Sequence, residues 1–137
     1  MKKRNMILAT LMCALMVLMP TATAFAGTAY ATNKTTSVGA YTYTLRAQIT
    51  TSSIAQGTAS ASANTVVPSG YIGAACYVYD SSGNTKASHS MSYNSGTTQT
   101  FGVSAAVSSP VVGTNYRTRG FFKLSSNGSD YTSVYSN

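Results

Sequence analysis

The chain has 137 residues, nine Lys and Arg against two Asp, one His and no Glu, for a formal charge of +7. Only 8% of its residues are charged while ten are Tyr, so solubility must come from Ser, Thr and Asn, a composition that favours strands and turns over helices. The length allows one domain, and so few titratable groups leave little material for hydrolytic or metal chemistry.

Lys2, Lys3 and Arg4 open the chain, residues 6–19 are apolar and rich in Leu and Met, and Ala24-Phe25-Ala26 puts small residues where a signal peptidase cleaves. Residues 1–26 are therefore expected to be a secretory signal peptide, and the product to be secreted and extracellular. Ala29-Tyr30-Ala31 is a second small-x-small site, but Pro20 ends the apolar stretch and places the first one better. A retained anchor would need about 20 apolar residues, and this stretch is shorter and broken by Thr10. Cleavage after Ala26 leaves 111 residues, with six Lys and Arg against Asp80 and Asp130 for a charge of +4. Cys76 is then the lone thiol, so no internal disulfide can form despite an oxidising compartment, and a dimer through Cys76 is the bridge that remains open. Cys13 lies inside the leader and is given no role.

Residues 27–39 are polar without periodicity and are expected to be a flexible lead-in to a domain over residues 40–137. Residues 41–49 then alternate cleanly, with Tyr41, Tyr43, Leu45, Ala47 and Ile49 on one side. Residues 58–67 alternate again using only small side chains such as Ala59, Ala61 and Ala63, which would let a facing sheet approach closely or take bulky partners opposite. The strand over residues 71–79 places Ile72, Ala74, Cys76 and Val78 on one face and Tyr71, Tyr77 and Tyr79 on the other. Beyond the turn Asp80-Ser81-Ser82-Gly83-Asn84, residues 86–93 put Ala87, His89, Met91 and Tyr93 on one face. Residues 97–107 alternate through Phe101, Val103, Ala105 and Val107. Along residues 115–124, Tyr116, Phe122 and Leu124 are predicted to look inward, and Arg117, Arg119, Phe121 and Lys123 outward. A hairpin loop over residues 125–129 leads to a last strand carrying Tyr131 and Tyr135.

About seven strands at short intervals, without helical periodicity after the leader, predict a single antiparallel β-sandwich, with a closed barrel as the alternative. Gly113-Thr114-Asn115-Tyr116-Arg117-Thr118-Arg119 resembles the turn and tyrosine that open the sixth strand of fibronectin type III and immunoglobulin-like domains, and Asn127-Gly128-Ser129-Asp130 the hairpin that comes after it. Those families' core Trp is absent. The chain is also loosely similar to small exported proteins of Gram-positive bacteria, a resemblance that implies no activity.

The chain shows no G-x-S-x-G, H-E-x-x-H, C-x-x-C or phosphate-cradling glycine loop, so neither an enzyme, a cofactor nor a metal site is expected. Asp80 and Asp130 sit where Asp completes turns. If the hairpin turns on Ser82-Gly83, Cys76 faces His89; the pair could form a thiolate–imidazolium nucleophile or half a metal site, or simply fill the core. The outward face offers more. Tyr71, Tyr77 and Tyr79 are expected beside Arg117, Arg119, Phe121 and Lys123, with Tyr131 and Tyr135 beyond and Lys86 at the rim. Rings that stack on sugar faces and guanidinium groups that grip anions suit a non-enzymatic protein binding an anionic wall polymer, a glycan or an extracellular protein, and not nucleic acid. Rival readings are a membrane-active toxin or bacteriocin, from the amphipathic alternation of residues 58–67 and 97–107, and a matrix or pilus-like subunit joined by strand edges.

Overall fold

The computed structural model describes residues 27–125 and, as strand and register alone, residues 130–135. Residues 1–26 with Cys13, the expected signal peptide, the loop over residues 126–129 and the side chains of Asp130, Tyr131 and Tyr135 lie outside the described residues. In chain order the strands are β1 (Gly27–Tyr30), β2 (Lys34–Val38), β3 (Tyr41–Thr51), β4 (Ala55–Val67), β5 (Ile72–Tyr79), β6 (Thr85–Tyr93), β7 (Thr98–Val107), β8 (Arg117–Leu124) and β9 (Asp130–Tyr135). They form two antiparallel sheets packed together, ordered β1-β3-β4-β7, with β2 also on β3, and β6-β5-β8-β9. This is an all-β sandwich, not a closed barrel.

Alternation decides which residues are dry. Tyr43, Leu45, Ala47 and Ile49 of β3, Ile72, Ala74, Cys76 and Val78 of β5, and Thr118, Phe122 and Leu124 of β8 are all buried between the sheets. The small inner face of β4 lets the sheets come close: a Cβ on Gly57 would collide with Thr118 and lie 2.7 Å from Val78 Cγ2, and one on Gly120 would lie 2.9 Å from Ala59 Cβ. At such spacing Phe122 and Leu124 fill the interlayer, each contributing about 1.5–3 kcal/mol by leaving water.

Two expectations need correction. The lead-in over residues 27–39 is paired rather than loose, since β1 runs along one half of β3 (Gly27 opposite Thr51) and β2 along the other (Lys34 opposite Leu45). These strands are held at a sheet edge by backbone pairing and bury little beyond Ala29, Ala31 and Val38, so no apolar period marks them. In β6, Tyr93 does not share the inward face of His89. The register slips between Ala74 opposite Ser92 and Cys76 opposite His89, and one extra residue reverses the parity of the remainder of the strand. Tyr93 and Met91 therefore cover Gly73 on the outer side, where a Cβ would sit 2.6 Å from the Tyr93 ring and 3.1 Å from the Met91 sulfur.

Asn94, which the sequence marks only as a turn residue, is buried and ties the crossovers together. Its Oδ1 accepts from Ile72 N–H at 2.9 Å, and its Nδ2 donates to the carbonyls of Pro68 and Gly96 at 2.8 and 2.7 Å. The ends of β4, β5, β6 and β7 thus meet at one side chain.

Candidate functional site

The outer face of the second sheet is built on β5 and β8. Antiparallel pairing sets Tyr77 opposite Arg119, Tyr79 opposite Arg117, Ala75 opposite Phe121 and Gly73 opposite Lys123. The Tyr77 and Tyr79 rings stack at 6.4 Å and 22°, and Tyr77 meets Phe121 edge-on at 5.4 Å and 79°. The Arg119 guanidinium lies 4.1 Å from the centre of the Phe121 ring. Such contacts fix ring and guanidinium orientation, and cation–π contacts of this kind are worth about 0.5–1 kcal/mol at an exposed site. Arg117 is exposed, while Tyr77, Tyr79, Arg119, Phe121 and Lys123 are half-buried. On the far side β9 sets the backbone of Tyr135 opposite Arg119 and of Tyr131 opposite Lys123.

Tyr71 does not belong to this face. It precedes β5 in a turn where its N–H reaches the Pro68 carbonyl, so strand parity has not yet begun. Its ring meets Tyr41 of the opposite sheet edge-on at 5.7 Å, and Tyr41 in turn lies 6.2 Å from Tyr43. Burial, with smaller contributions from Tyr41 and Tyr71, raises the Tyr43 hydroxyl above its ordinary pKa. Lys86 is the extra residue of a second irregularity, between Val78 opposite Ala87 and Tyr79 opposite Thr85, and its Nζ binds Asp80 at 3.0 Å. Asp80 also accepts at Oδ1 from the N–H groups of Ser82 and Asn84, both at 2.9 Å. The Asn84 backbone bond first, then Lys86 and the Asn84 side chain, hold the carboxyl down at about 2. Asp80 is thus committed to closing the turn, as its place in the sequence suggests.

Cys76 stands opposite His89 as expected, but not through a turn on Ser82-Gly83: the hairpin closes with Tyr79 opposite Thr85, and the extra residue Lys86 shifts the register beyond Val78. The thiol is fully buried, and burial pushes it up to about 11 against a single backbone hydrogen bond with Ala105. That is the reverse of what a nucleophile or a metal ligand needs. His89 Nδ1 donates to the Ser90 carbonyl at 2.8 Å. Among the described residues no group of three His, Cys, Asp or Glu is placed to hold a metal ion, and no helix is long and apolar enough to cross a membrane. A Cys76 bridge to a second chain would require β5 to open.

The face gains two members that sequence reasoning missed, Met91 and Tyr93, and only a prediction of the bulge could have found them. Fold and face together define an antiparallel β-sandwich with an aromatic and cationic sheet surface. Comparison with protein-family models, with curated proteins and with solved structures finds no match to this chain.

Proposed function

We propose that the protein is a secreted, non-enzymatic binding module that applies Tyr77, Tyr79, Phe121, Arg117 and Arg119 to an anionic or carbohydrate polymer of a cell envelope, or to a protein displayed there. The reading rests on one observation: the cross-strand pairs Tyr77 with Arg119 and Tyr79 with Arg117 lie side by side, with their rings held at fixed angles. Ring faces offer apolar area at little entropic cost, and a guanidinium fork offers two parallel donors to a carboxylate or phosphate. Export rests on the leader pattern of residues 1–26.

A fibronectin type III or immunoglobulin-like relationship belongs to the same proposal. It is supported by the facing sheets β3-β4-β7 and β6-β5-β8-β9, and by Tyr116, whose hydroxyl accepts from Val111 N–H at 2.9 Å, as a tyrosine corner does.

Sedimentation with isolated Gram-positive cell walls tests the binding. Arg117→Ala with Arg119→Ala should lower the bound fraction about tenfold, and added salt should weaken the parent protein in the same direction. Retention unchanged by the double substitution rejects this face.

A further inference from the structure

The opposite side of the molecule carries a second polar surface, on the outer face of the first sheet. There, pairing aligns Tyr30, Gln48, Thr58 and Ser104 in one row across β1, β3, β4 and β7. The next row holds Arg46, Ser60 and Gly102. Between β1 and β2 the chain leaves the regular ladder: Tyr30 is opposite Gln48, but Lys34 is opposite Leu45, one residue out of step. Ala31 turns inward, its N–H bonded to the Ala47 carbonyl at 2.8 Å, and the edge opens into a cleft of about 520 Å³ lined by Tyr30, Asn33, Arg46, Gln48, Thr58 and Ser60.

Two features of this cleft suit a polar, anionic ligand. Elsewhere on this face three pairs of hydroxyls bond one another, Thr28 with Thr50 at 3.2 Å, Ser62 with Thr100 at 3.0 Å and Ser37 with Thr42 at 3.1 Å. In the cleft the side chains of Arg46, Gln48, Thr58 and Ser60 make no hydrogen bond among the described residues and are open to a ligand. Arg46 also has no acidic neighbour among them, because Asp80 is held in the β5–β6 turn by Lys86. Tyr30 is 67% exposed at the rim. Thr58 further borders a shallower depression lined by His89, Gly102 and Ser104, so the two run on across the sheet. From β1 to β7 is three strand spacings, about 14 Å, or roughly three sugar rings.

We infer that this groove is a second binding site, distinct from the Tyr/Arg face, and that it takes an acidic oligosaccharide. A uronic acid unit lays the C–H face of its ring on Tyr30 and its carboxylate in the Arg46 fork, while Gln48, Thr58 and Ser60 exchange hydrogen bonds with its hydroxyls. Arg46 lies about 7 Å along β3 from Gln48, the reach from one edge of a pyranose ring to its carboxylate.

Amide chemical shifts of the protein, titrated with tetragalacturonate and with the neutral cellotetraose, test the inference. Tetragalacturonate should move the amides of Arg46, Gln48, Thr58 and Ser60, and both Arg46→Ala and Tyr30→Ala should weaken it about tenfold. These two side chains are exposed, so both variants keep the fold, which circular dichroism checks. The pair Arg117→Ala and Arg119→Ala should leave the same shifts in place, so this site and the proposed Tyr/Arg face succeed or fail separately. Shifts confined to β5 and β8, no shift at millimolar tetragalacturonate, equal affinity for cellotetraose, or an unaffected Arg46→Ala variant would each overturn it.

Discussion

Cys76 shows how one buried atom turns a reactive residue type into packing. Its thiol has no exposed surface, and its pKa is pushed from 9.0 up to about 11 by burial. At pH 8 the thiolate fraction is then about a hundredfold below that of an ordinary cysteine, so iodoacetamide should label the folded protein at least about a hundredfold more slowly than the urea-unfolded chain. Equal rates in the two states would mean that the thiol is not buried as described. Because the folded value is the higher one, the group favours folding fully below pH 9, and that contribution is lost as the pH rises toward 11. Asp80 illustrates the opposite case at the surface, an anion favoured by backbone N–H groups and Lys86, whose contribution is present above the ordinary carboxylate range and lost as the pH falls toward 2. The role of Asp80 is readable from residue type and neighbours in sequence, whereas for Cys76 burial between the sheets decides among the readings its pairing leaves open. The role of Asn94 is not readable there, because its three side-chain bonds go to Ile72, Pro68 and Gly96, two of them more than twenty positions away.

The defining element is β4, whose inner face is Gly and Ala. Small residues there are permissive only because Thr118 and Val78 come forward to meet them, and the space at Gly57 is already taken. Gly57→Val should therefore destabilise the protein by about 1–3 kcal/mol through overpacking, lowering the thermal midpoint by roughly 5–15 °C. Gly96→Ala, where a Cβ meets nothing within 4 Å, should stay within about 0.5 kcal/mol. Thermal unfolding measured by circular dichroism separates the two, and a Gly57→Val protein as stable as the parent would contradict the close approach of the sheets. Strand β6 behaves differently. Its serine-rich alternation is real, but one slip of register between Ala74 and Cys76 moves Met91 and Tyr93 onto the surface, and nothing in the local pattern of β6 announces it.

For the molecule as a whole, the strand order demands distant pairings before either sheet is complete: Ala59 with Val103 and Cys76 with Gly120, each 44 positions apart. Closing such loops is slow, so refolding after dilution from denaturant, monitored by tyrosine fluorescence, should take milliseconds to seconds; completion within microseconds would be inconsistent with this topology. The same order sets the Tyr/Arg face and the Tyr30–Arg46 groove on opposite sides of one thin sandwich. By itself, the sequence determined the all-β class, seven of the nine strands, the inward and outward sides of β3, β4, β5, β7 and β8, and the neighbourhood of Tyr77, Tyr79, Arg117 and Arg119. All of these depend on period-two alternation, which is a local property. Tertiary structure alone decided that residues 27–38 pair with β3, that Tyr71 turns toward Tyr41, that Tyr93 faces outward and that Arg46 borders a cleft. Each of those outcomes is set by a partner strand's register or edge, and backbone hydrogen bonds between distant segments leave no mark on the order of side chains along either one.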